Sequence, residues 1–350
     1  MTNVLLVGHS ARAHAIAEAF NKNKAVKLYS FMKSKNPGIA LLSEDVLIGS
    51  YSDLESIKEF AKKNKIDFAF IGPEDPLNDG VVDALQEIGI ASVGPTQSLA
   101  KLETSKSFTR DLLKKYDIDG NPKFNVFNNN NLNEINDFLN ELNEVVIKPD
   151  GLTGGKGVRV QGDHFNTKEE ALDYCKEVLE THESVIVEEK LDGEEFSLQC
   201  LTDGKAVIMT PPVQDHKRAY ENDVGPNTGG MGSYSSENHL LPFLKKEHVD
   251  AALEITRKVA DAIHEETSEY YKGVMYGGFI LTKEGVKLIE YNARFGDPEA
   301  MNVLPLLKTD FASICQSIIV QELDRVKVEF EKKATVCKYI VPKGYPDKPV

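Results

Sequence analysis

The sequence predicts an α/β chain: a doubly wound parallel sheet at the N-terminus, a two-lobed α+β unit after it, and the start of a small further unit. Three observations carry this. Over the first hundred residues, short apolar runs alternate with amphipathic segments, the pattern of parallel strands joined by crossover helices. Between residues 194 and 210, two β-like runs flank an Asp-Gly turn, which marks an antiparallel hairpin. The stretch IKPDGLTGGKGV, residues 147–158, sets four glycines and two lysines directly after an apolar run, as a phosphate-binding loop follows a strand.

Taken in order, NVLLVG (3–8), AVKLYS (25–30), DVLIGS (45–50), DFAFIG (67–72) and IASVG (90–94) read as strands. Residues 11–22, 53–64 and 77–88 read as the helices between them. Ligands of such a sheet sit at the C-terminal strand ends, two of which carry Gly8 and Gly72-Pro73-Glu74. A helix-rich piece covers 97–116. An asparagine run at 128–131 then marks a polar turn inside a smaller unit, with strands near 123–127, 144–148, 157–161 and 184–189 and a helix at 168–181. Residues 211–236 hold too much Gly, Asn, Pro and Thr for a core element and read as a long loop, either functional or disordered. A helix at 247–264 puts Val249, Ala252, Leu253, Val259, Ala260 and Ile263 on one face. Strands at 274–281 and 286–291 and a helix near 309–322 follow, and the last twenty residues begin strand-like (ATVCKYIV). The expected divisions are 1–103, 104–328 with a small lobe at about 122–190, and 329–350 as the start of a truncated unit.

With 350 residues, 41% hydrophobic and 27% charged, the chain is long enough for two or three globular domains. A net charge of −14 argues against a bulk nucleic-acid binder and leaves room for a local basic pocket. The four cysteines form no CxxC pair, and Cys175 keeps helical spacing with Ala171, Tyr174, Val178 and Leu179, as a buried thiol does. The eight histidines show no HxH or HExxH spacing, so metal-dependent hydrolysis lacks support. No run reaches membrane-span length and no basic start precedes a long apolar core, so a cytoplasmic protein is expected.

The glycine-rich stretch is not a Walker A loop: Asp150 stands where the first glycine belongs, and Lys156 is followed by Gly157. Lys148 ends a strand and can point its ammonium at a phosphate; a Gly-rich hairpin with solvated lysines is the alternative. Downstream, VIVEEKLDGEEFS (185–197) sets carboxylates at a strand end, fit for ribose hydroxyls or simply solvated. In KLIEYNARFGDPE, Glu290 and Asn292 share one strand face, and this oxygen pair suits Mg²⁺; Arg294 continues the face. Lys106 opens a helix and, taken alone, reads as a surface lysine; His216 alone reads as incidental, but Asp215, Lys217 and Arg218 around it make a polar cluster suited to an anion or amine.

Together the lysines, the acidic segment and the Mg²⁺ pair describe a nucleotide site between two α/β lobes, and the chain resembles the ATP-grasp superfamily. GPEDPL (72–77), GPT (94–96), ETSKSF (103–108), KPDGLTGGKGV (148–158), EEKLDGEEFS (188–197), QDHKR (214–218), GPNTGGMGSYS (225–235) and EYNARFGDPE (290–299) resemble, in order, the phosphoribosylamine–glycine ligase (glycinamide ribonucleotide synthetase) family. The likeness covers nearly the whole chain, and GPNTGGMG and FGDPE are its most specific parts. It implies a pre-ATP-grasp sheet, then an ATP-grasp domain joining glycine to 5-phosphoribosylamine through glycyl phosphate in purine synthesis. The cofactors implied are ATP and Mg²⁺ or Mn²⁺. Lys106 and Lys148 would contact ATP phosphates, with Gly154, Gly155, Lys156 and Gly157 closing over them. The backbone of Glu188, Glu189 and Leu191 would read adenine and Glu195 the ribose, while Glu290 and Asn292 would hold the metal. Lys148, Asp215 and Arg294 would be catalytic; Gly8, Arg12, Gly72, Pro73, Glu74, Asp215, Lys217, Arg294, Gly296 and Asp297 would bind the substrates. A monomer or weak homo-oligomer is expected, with no nucleic acid or membrane as partner.

Two departures stand out. The family's first βα turn usually reads Gly-x-Gly-Gly-Arg-Glu-His, against Gly8-His9-Ser10-Ala11-Arg12-Ala13-His14 here, so a position requiring positive φ would be strained. The family also continues past KGYP, so a C-terminal domain is expected to be cut short. Other carboxylate–amine ligases of the superfamily and a nucleotide-binding protein without activity share the pattern. An NAD-dependent oxidoreductase does not, because VGHSARAH lacks GxGxxG and no acid closes KLYSF.

Overall fold

β1 (Thr2–Val7) runs through the middle of the first sheet, and its Val4, Leu5, Leu6 and Val7 are fully buried on both faces. That is the continuous apolar run of a parallel strand covered by helices on each side. In this computed structural model, which describes residues 1–128, 131–152, 157–222 and 224–350, the sheet continues as follows. α1 (Ala11–Asn21), β2 (Val26–Met32), α2 (Pro37–Leu42), β3 (Ser43–Ile48), α3 (Leu54–Lys63), β4 (Phe68–Ile71), α4 (Glu74–Asn78), α5 (Val81–Glu87) and β5 (Ala91–Val93) complete it. The strand order is β3-β2-β1-β4-β5, all parallel, as expected. Two helical details differ. Pro37 sits in the first turn of α2 with Asn36 as its cap, a short helix absent from the elements read in the sequence. The expected helix at 77–88 is two, divided at Gly80, which takes a left-handed φ of 81°.

After α6 (Lys101–Thr104) and α7 (Lys106–Lys115) comes the small lobe: β6 (Phe124–Phe127), α8 (Leu132–Glu141), β7 (Val145–Pro149), β8 (Arg159–Val160), α9 (Lys168–Leu179) and β9 (Val185–Glu189). Its antiparallel sheet has the order β6-β9-β7-β8. α8 escaped the sequence reading behind its asparagines, although Leu132, Ile135 and Leu139 fall on one helical face.

The body is built from β10 (Glu194–Thr202), β11 (Val207–Met209), β12 (Gln214–Tyr220), β13 (Val224–Ser235), α10 (Lys246–Thr267), β14 (Gly273–Thr282), β15 (Gly285–Asn292), α11 (Ala300–Val303), α12 (Phe311–Val320) and β16 (Thr335–Lys338). One antiparallel sheet has the order β11-β10-β14-β15, another β12-β13-β16. The long loop expected at 211–236 is therefore largely a hairpin, β12–β13, with register breaks near Arg218. Its polar composition reflects a lining role, and backbone ladder bonds rather than an apolar face hold it. The terminal strand-like run pairs with β13.

Three apolar clusters stand out among the described residues. Leu5, Val7, Ile71 and Leu85 of the first sheet pack in one cluster with Val249, Ile263 and Phe279 of the body. On the sheet's other face, Val4, Leu6 and Phe70 join Phe295, Val303, Phe311 and Ile318. The small lobe's cluster, from Phe127 to Val187, contains residues of that lobe alone. Among the described residues no helix is long and apolar enough to cross a membrane.

Candidate active site

The glycine-rich stretch leaves the end of β7 at Asp150, and this carboxylate fixes it to the start of α7. Asp150 accepts hydrogen bonds from the backbone amides of Lys106 (2.7 Å) and Ser107 (3.3 Å) and from the hydroxyls of Ser105 (3.3 Å), Ser107 and Ser184 (3.2 Å). An acceptor at a helix N-terminus meets amides that have no intrahelical partner. Lys106 Nζ donates to the Gly151 carbonyl (2.7 Å). At the far end, the Tyr174 hydroxyl donates to the Gly157 carbonyl (2.7 Å). Gly154, Gly155 and Lys156 lie outside the described residues.

Lys148, one residue before the end of β7, is buried and ion-paired with Glu188 of β9 at 2.7 Å, and it donates to the Ile289 carbonyl of β15 (3.2 Å). Glu188 also takes a two-pronged contact from Arg110 of α7: Nε at 2.6 Å and Nη2 at 3.0 Å. The Arg110 guanidinium reaches on to the carbonyls of Leu288 (3.0 Å) and Ile289 (2.7 Å). Burial opposes the charge on Glu188, but Arg110 and Lys148 outweigh it and hold the carboxyl at about 2. Burial also pulls the Lys148 ammonium below the usual lysine range, with Glu188 working against the shift. The Glu188 side chain is thus fully committed to these two cations. Glu189 accepts the Lys123 amide (2.8 Å), Leu191 lies part-buried just beyond, and Glu195 is exposed, 3.8 Å from Lys217.

Across the hairpin, β10, β12, β14 and β15 wall a cavity lined by Glu195, Asp215, Lys217, Tyr276 and Glu290 among others. Burial opposes ionisation of Glu290, yet Lys217, Lys148, Lys106 and Arg294 together keep its carboxyl below the usual range. Asn292 shares the strand face, and its Oδ1 accepts from Arg294 Nη2 (3.1 Å). Asp215 contrasts with Glu290. Burial and the nearby Glu299 push it up to about 8, with Lys217 opposing, and its Oδ1 is buried with no partner among the described residues. Gly230 of β13 takes φ 128° against it, where a Cβ would lie 2.8 Å from Asp215 Oδ1 and 2.7 Å from Pro298.

Arg294 leads from this cavity to the first sheet. It pairs with Glu103 (2.7 Å) and with Glu74 (3.1 Å), and Glu74 also pairs with the buried Arg12 (3.1 Å). Burial works against Glu74, but Arg294 and Arg12 bring its carboxyl down to about 2. Arg12 Nη1 donates to the Phe295 carbonyl (2.7 Å), and its backbone amide donates to Asp297 Oδ2 (3.2 Å). Gly8 has φ 153°, and a Cβ there would sit 3.0 Å from Ala13 Cβ and 3.1 Å from Pro73 Cδ, so the ends of β1 and β4 touch. Gly72 lies against the Val7 carbonyl, and Gly296 leaves room for the Glu299 carboxylate. The anticipated strain in the first turn does not arise. Ser10 is extended (φ −77°, ψ 178°) and its hydroxyl caps α1 by accepting from Ala13 N (3.4 Å), while Ala11 begins the helix.

The fold therefore gathers Lys106, Lys148, Lys217, Asp215, Glu290, Asn292 and Arg294 around one region, and Gly8, Arg12, Gly72, Pro73, Glu74, Gly296 and Asp297 beside it. Sequence reasoning missed five contributors. Arg110 binds Glu188, Glu103 binds Arg294, Tyr276 donates to Glu299 (2.7 Å), and Tyr339 donates to Asp297. Glu103 and Glu299 lay inside the quoted motifs, a signal that was available; Arg110, Tyr276 and Tyr339 carried none.

Known proteins share this arrangement. The model of the phosphoribosylglycinamide synthetase N domain matches residues 2–103, and that of the phosphoribosylglycinamide synthetase ATP-grasp (A) domain matches residues 104–300. A phosphoribosylamine–glycine ligase of Methanocaldococcus jannaschii is 53% identical over 354 residues, spanning 99% of this chain and 79% of that protein. The solved phosphoribosylamine–glycine ligase of Thermotoga maritima is similar with a TM-score of 0.82 at 26% identity, covering 100% of this chain and 83% of that one. The biotin carboxylase domain of a Hydrogenobacter thermophilus 2-oxoglutarate carboxylase, solved with MgADP, shares the fold alone, at a TM-score of 0.72 and 16% identity over 96% of this chain and 73% of that one.

Proposed function

The chain belongs to the phosphoribosylglycinamide synthetase family, and from that premise we infer that it is an ATP-dependent carbon–nitrogen ligase, a phosphoribosylamine–glycine ligase of purine synthesis. It joins the glycine carboxylate to the amine of 5-phosphoribosylamine, yielding glycinamide ribonucleotide, ADP and phosphate. The observation that carries this reading is the run of charged groups from Lys148 past Glu290 and Lys217, with Asp215 beside Lys217, to Arg294, Glu74, Arg12 and Asp297, between the small lobe and the strand ends of the first sheet.

A carboxylate does not acylate an amine in water, since its leaving group would be oxide. Attack of a glycine oxygen on the γ-phosphorus of ATP expels ADP and gives glycyl phosphate. The amine of phosphoribosylamine then attacks the carbonyl carbon, phosphate leaves with its C–O oxygen, and the amine loses a proton. Lys106 and Lys148 offset charge on the transferred phosphoryl group. Closure of the 150–157 stretch excludes water from the acyl phosphate. The backbone from Glu188 to Leu191 takes the adenine edge and Glu195 the ribose, because the Glu188 side chain is already engaged. Asp215, once ionised, pairs with the glycine ammonium, with Lys217 and Arg294 beside it. Gly8, Arg12, Gly72, Pro73, Glu74, Gly296 and Asp297 take phosphoribosylamine.

Family members use ATP with a divalent metal, and the residues here fit one. Glu290 stays ionised although buried, and Asn292 Oδ1 keeps a lone pair beyond its bond to Arg294. A hard ion held by few protein oxygens and by phosphates needs only such a pair. Bound there, Mg²⁺ or Mn²⁺ supplies charge neutralisation on the phosphates. The divisions proposed are 1–103, 104–328 with a lid at about 122–190, and 329–350, in a cytoplasmic monomer or weak homo-oligomer.

The test is ADP release with glycine and freshly prepared phosphoribosylamine, each omitted in turn. Turnover that needs both is expected. ADP release that is indifferent to glycine, or that requires a different acid and amine, would overturn the assignment.

A further inference from the structure

β16 pairs with β13 in the register Gly232↔Lys338, Ser233↔Cys337, Tyr234↔Val336 and Ser235↔Thr335, and Tyr339 extends the ladder by donating its amide to the Met231 carbonyl (3.1 Å). Side chains on a strand alternate between faces. Val336 is 80% and Ile340 98% exposed, so the opposite face, with Thr335, Cys337 and Tyr339, turns inward. Thr335 Oγ1 bonds Ser235 Oγ (2.7 Å) and donates to the Asn302 carbonyl (3.1 Å). The Cys337 thiol is raised by burial and then by Asp297, Asp215 and Glu299, which places it beside the acidic part of the site. Tyr339 reaches furthest, and its hydroxyl donates to Asp297 Oδ1.

Asp297 is held from two sides. Oδ2 accepts the backbone amide of Arg12 in the first βα turn (3.2 Å), and Oδ1 accepts Tyr339 from the C-terminal strand. The first turn and β16 are far apart in sequence, and this single carboxylate joins them. Burial and Asp297 raise the Tyr339 phenol, so it remains a donor across working pH. The neighbouring residues are fixed as well: Gly296 N donates to Gln199 Oε1 (2.8 Å), and the Phe295 carbonyl accepts Arg12. Removing the hydroxyl leaves Asp297 free to turn about its own side-chain torsions while its surroundings stay in place.

We propose that Tyr339 is a positioning residue for phosphoribosylamine: it holds the Asp297 carboxylate against the Arg12 turn, so that β16 forms a wall of the phosphoribosyl end of the site. This rests on the functional reading above. In Tyr339→Phe, KM for phosphoribosylamine should rise about tenfold, the scale of one hydrogen bond to a charged group, while kcat and the KM values for ATP and glycine stay near wild type.

The assay is initial-rate ADP release by wild type and Tyr339→Phe, each substrate varied in turn. Wild-type protein without glycine-dependent turnover would overturn the functional reading itself. Active wild type beside a variant with unchanged KM for phosphoribosylamine, or with only kcat reduced, overturns this proposal alone. A second measurement needs no variant. Cys175, Cys200 and Cys315 are buried and Cys337 is partly exposed, so Cys337 is the most accessible thiol to N-ethylmaleimide, labelled slowly because its raised thiol holds little thiolate. Glycinamide ribonucleotide should slow its labelling severalfold, and an unchanged labelling rate would overturn the placement.

Discussion

The first sheet and the small lobe join the body by opposite means. The sheet buries both faces in clusters shared with the body: Leu5 and Val7 pack with Phe279 on one side, and Val4 and Leu6 with Phe295 and Phe311 on the other. The small lobe keeps its apolar residues to itself and meets the body through Lys148, Glu188 and Arg110, which reach the carbonyls of Leu288 and Ile289. Separating the sheet exposes apolar surface at about 25 cal/mol per Å². Parting the lobe hydrates charges instead, and that regain of solvation offsets much of the lost pairing. The fold thus holds one junction by shared apolar packing and the other by buried charge.

The sharpest way to break this contrast is at Lys148. Lys148→Ala should lower ligation by at least about a thousandfold, as loss of a charge-stabilising donor does, while Glu188 keeps Arg110 and the chain stays folded. Near-wild-type ADP release in that variant sinks the role given to the residue. A matched pair of substitutions comes next. Arg110→Met removes the arginine half of the buried cluster and should cost roughly 3–5 kcal/mol, and Phe295→Ala should cost roughly 3–5 kcal/mol through a core cavity. Hydrogen exchange separates them. The first should expose amides of the small lobe alone, the second those of the sheet and body together, and identical patterns would erase the distinction.

Acid gives a smaller, graded test. Glu74 at the sheet junction and Glu188 at the lobe junction both lie at about 2, against roughly 4.3 in an unfolded chain. A depressed carboxyl stabilises above its unfolded value, and that stability is lost as pH falls from about 4 towards 2. The sheet also has its shared cores, so pepsin cleavage between pH 4 and 2 should appear first within 122–190. Earlier cuts in the first sheet would reverse the ranking. The weakest expected effect is at Arg218, which meets Asp163 at 2.6 Å where the hairpin touches the lobe. Both partners are partly solvated, so Arg218→Ala should shift stability by at most about 1 kcal/mol in thermal melts.

Most of what depended on local pattern was legible in the sequence, with α8 the exception because its asparagines masked the face of Leu132, Ile135 and Leu139. The five strands of the first sheet announce themselves because parallel strands are apolar on both faces. Lys148, Glu290 and Arg294 could be set on strand ends and faces from the sequence, whereas Asp215 stood in a stretch read as loop and was singled out by its polar neighbours and the resemblance. β12–β13 was not legible, because QDHKRAY and VGPNTGGMGSYS are held by ladder bonds to each other and to β16 and carry no apolar alternation. Arg110 was hidden for a different reason. It looks like any helix arginine, and its partner Glu188 lies 78 positions away. The Glu188 side chain was given no role by the sequence, which assigned only its backbone; the buried pairing with Arg110 and Lys148 is visible only in the fold.

Ser10 and Ala11 stand where the family usually keeps glycine, and the backbone there is extended at Ser10 and helical at Ala11. Glycine is unnecessary in such geometry and only enlarges the set of shapes open to the unfolded chain. Each replacement therefore lowers the entropy lost on folding, worth about 0.4–1 kcal/mol where the conformation suits. The same economy carries over to substrate capture. A turn that has already given up its freedom has less to lose when a ligand arrives, so this version should greet the phosphoribosyl group with a smaller entropic toll than a glycine-rich one.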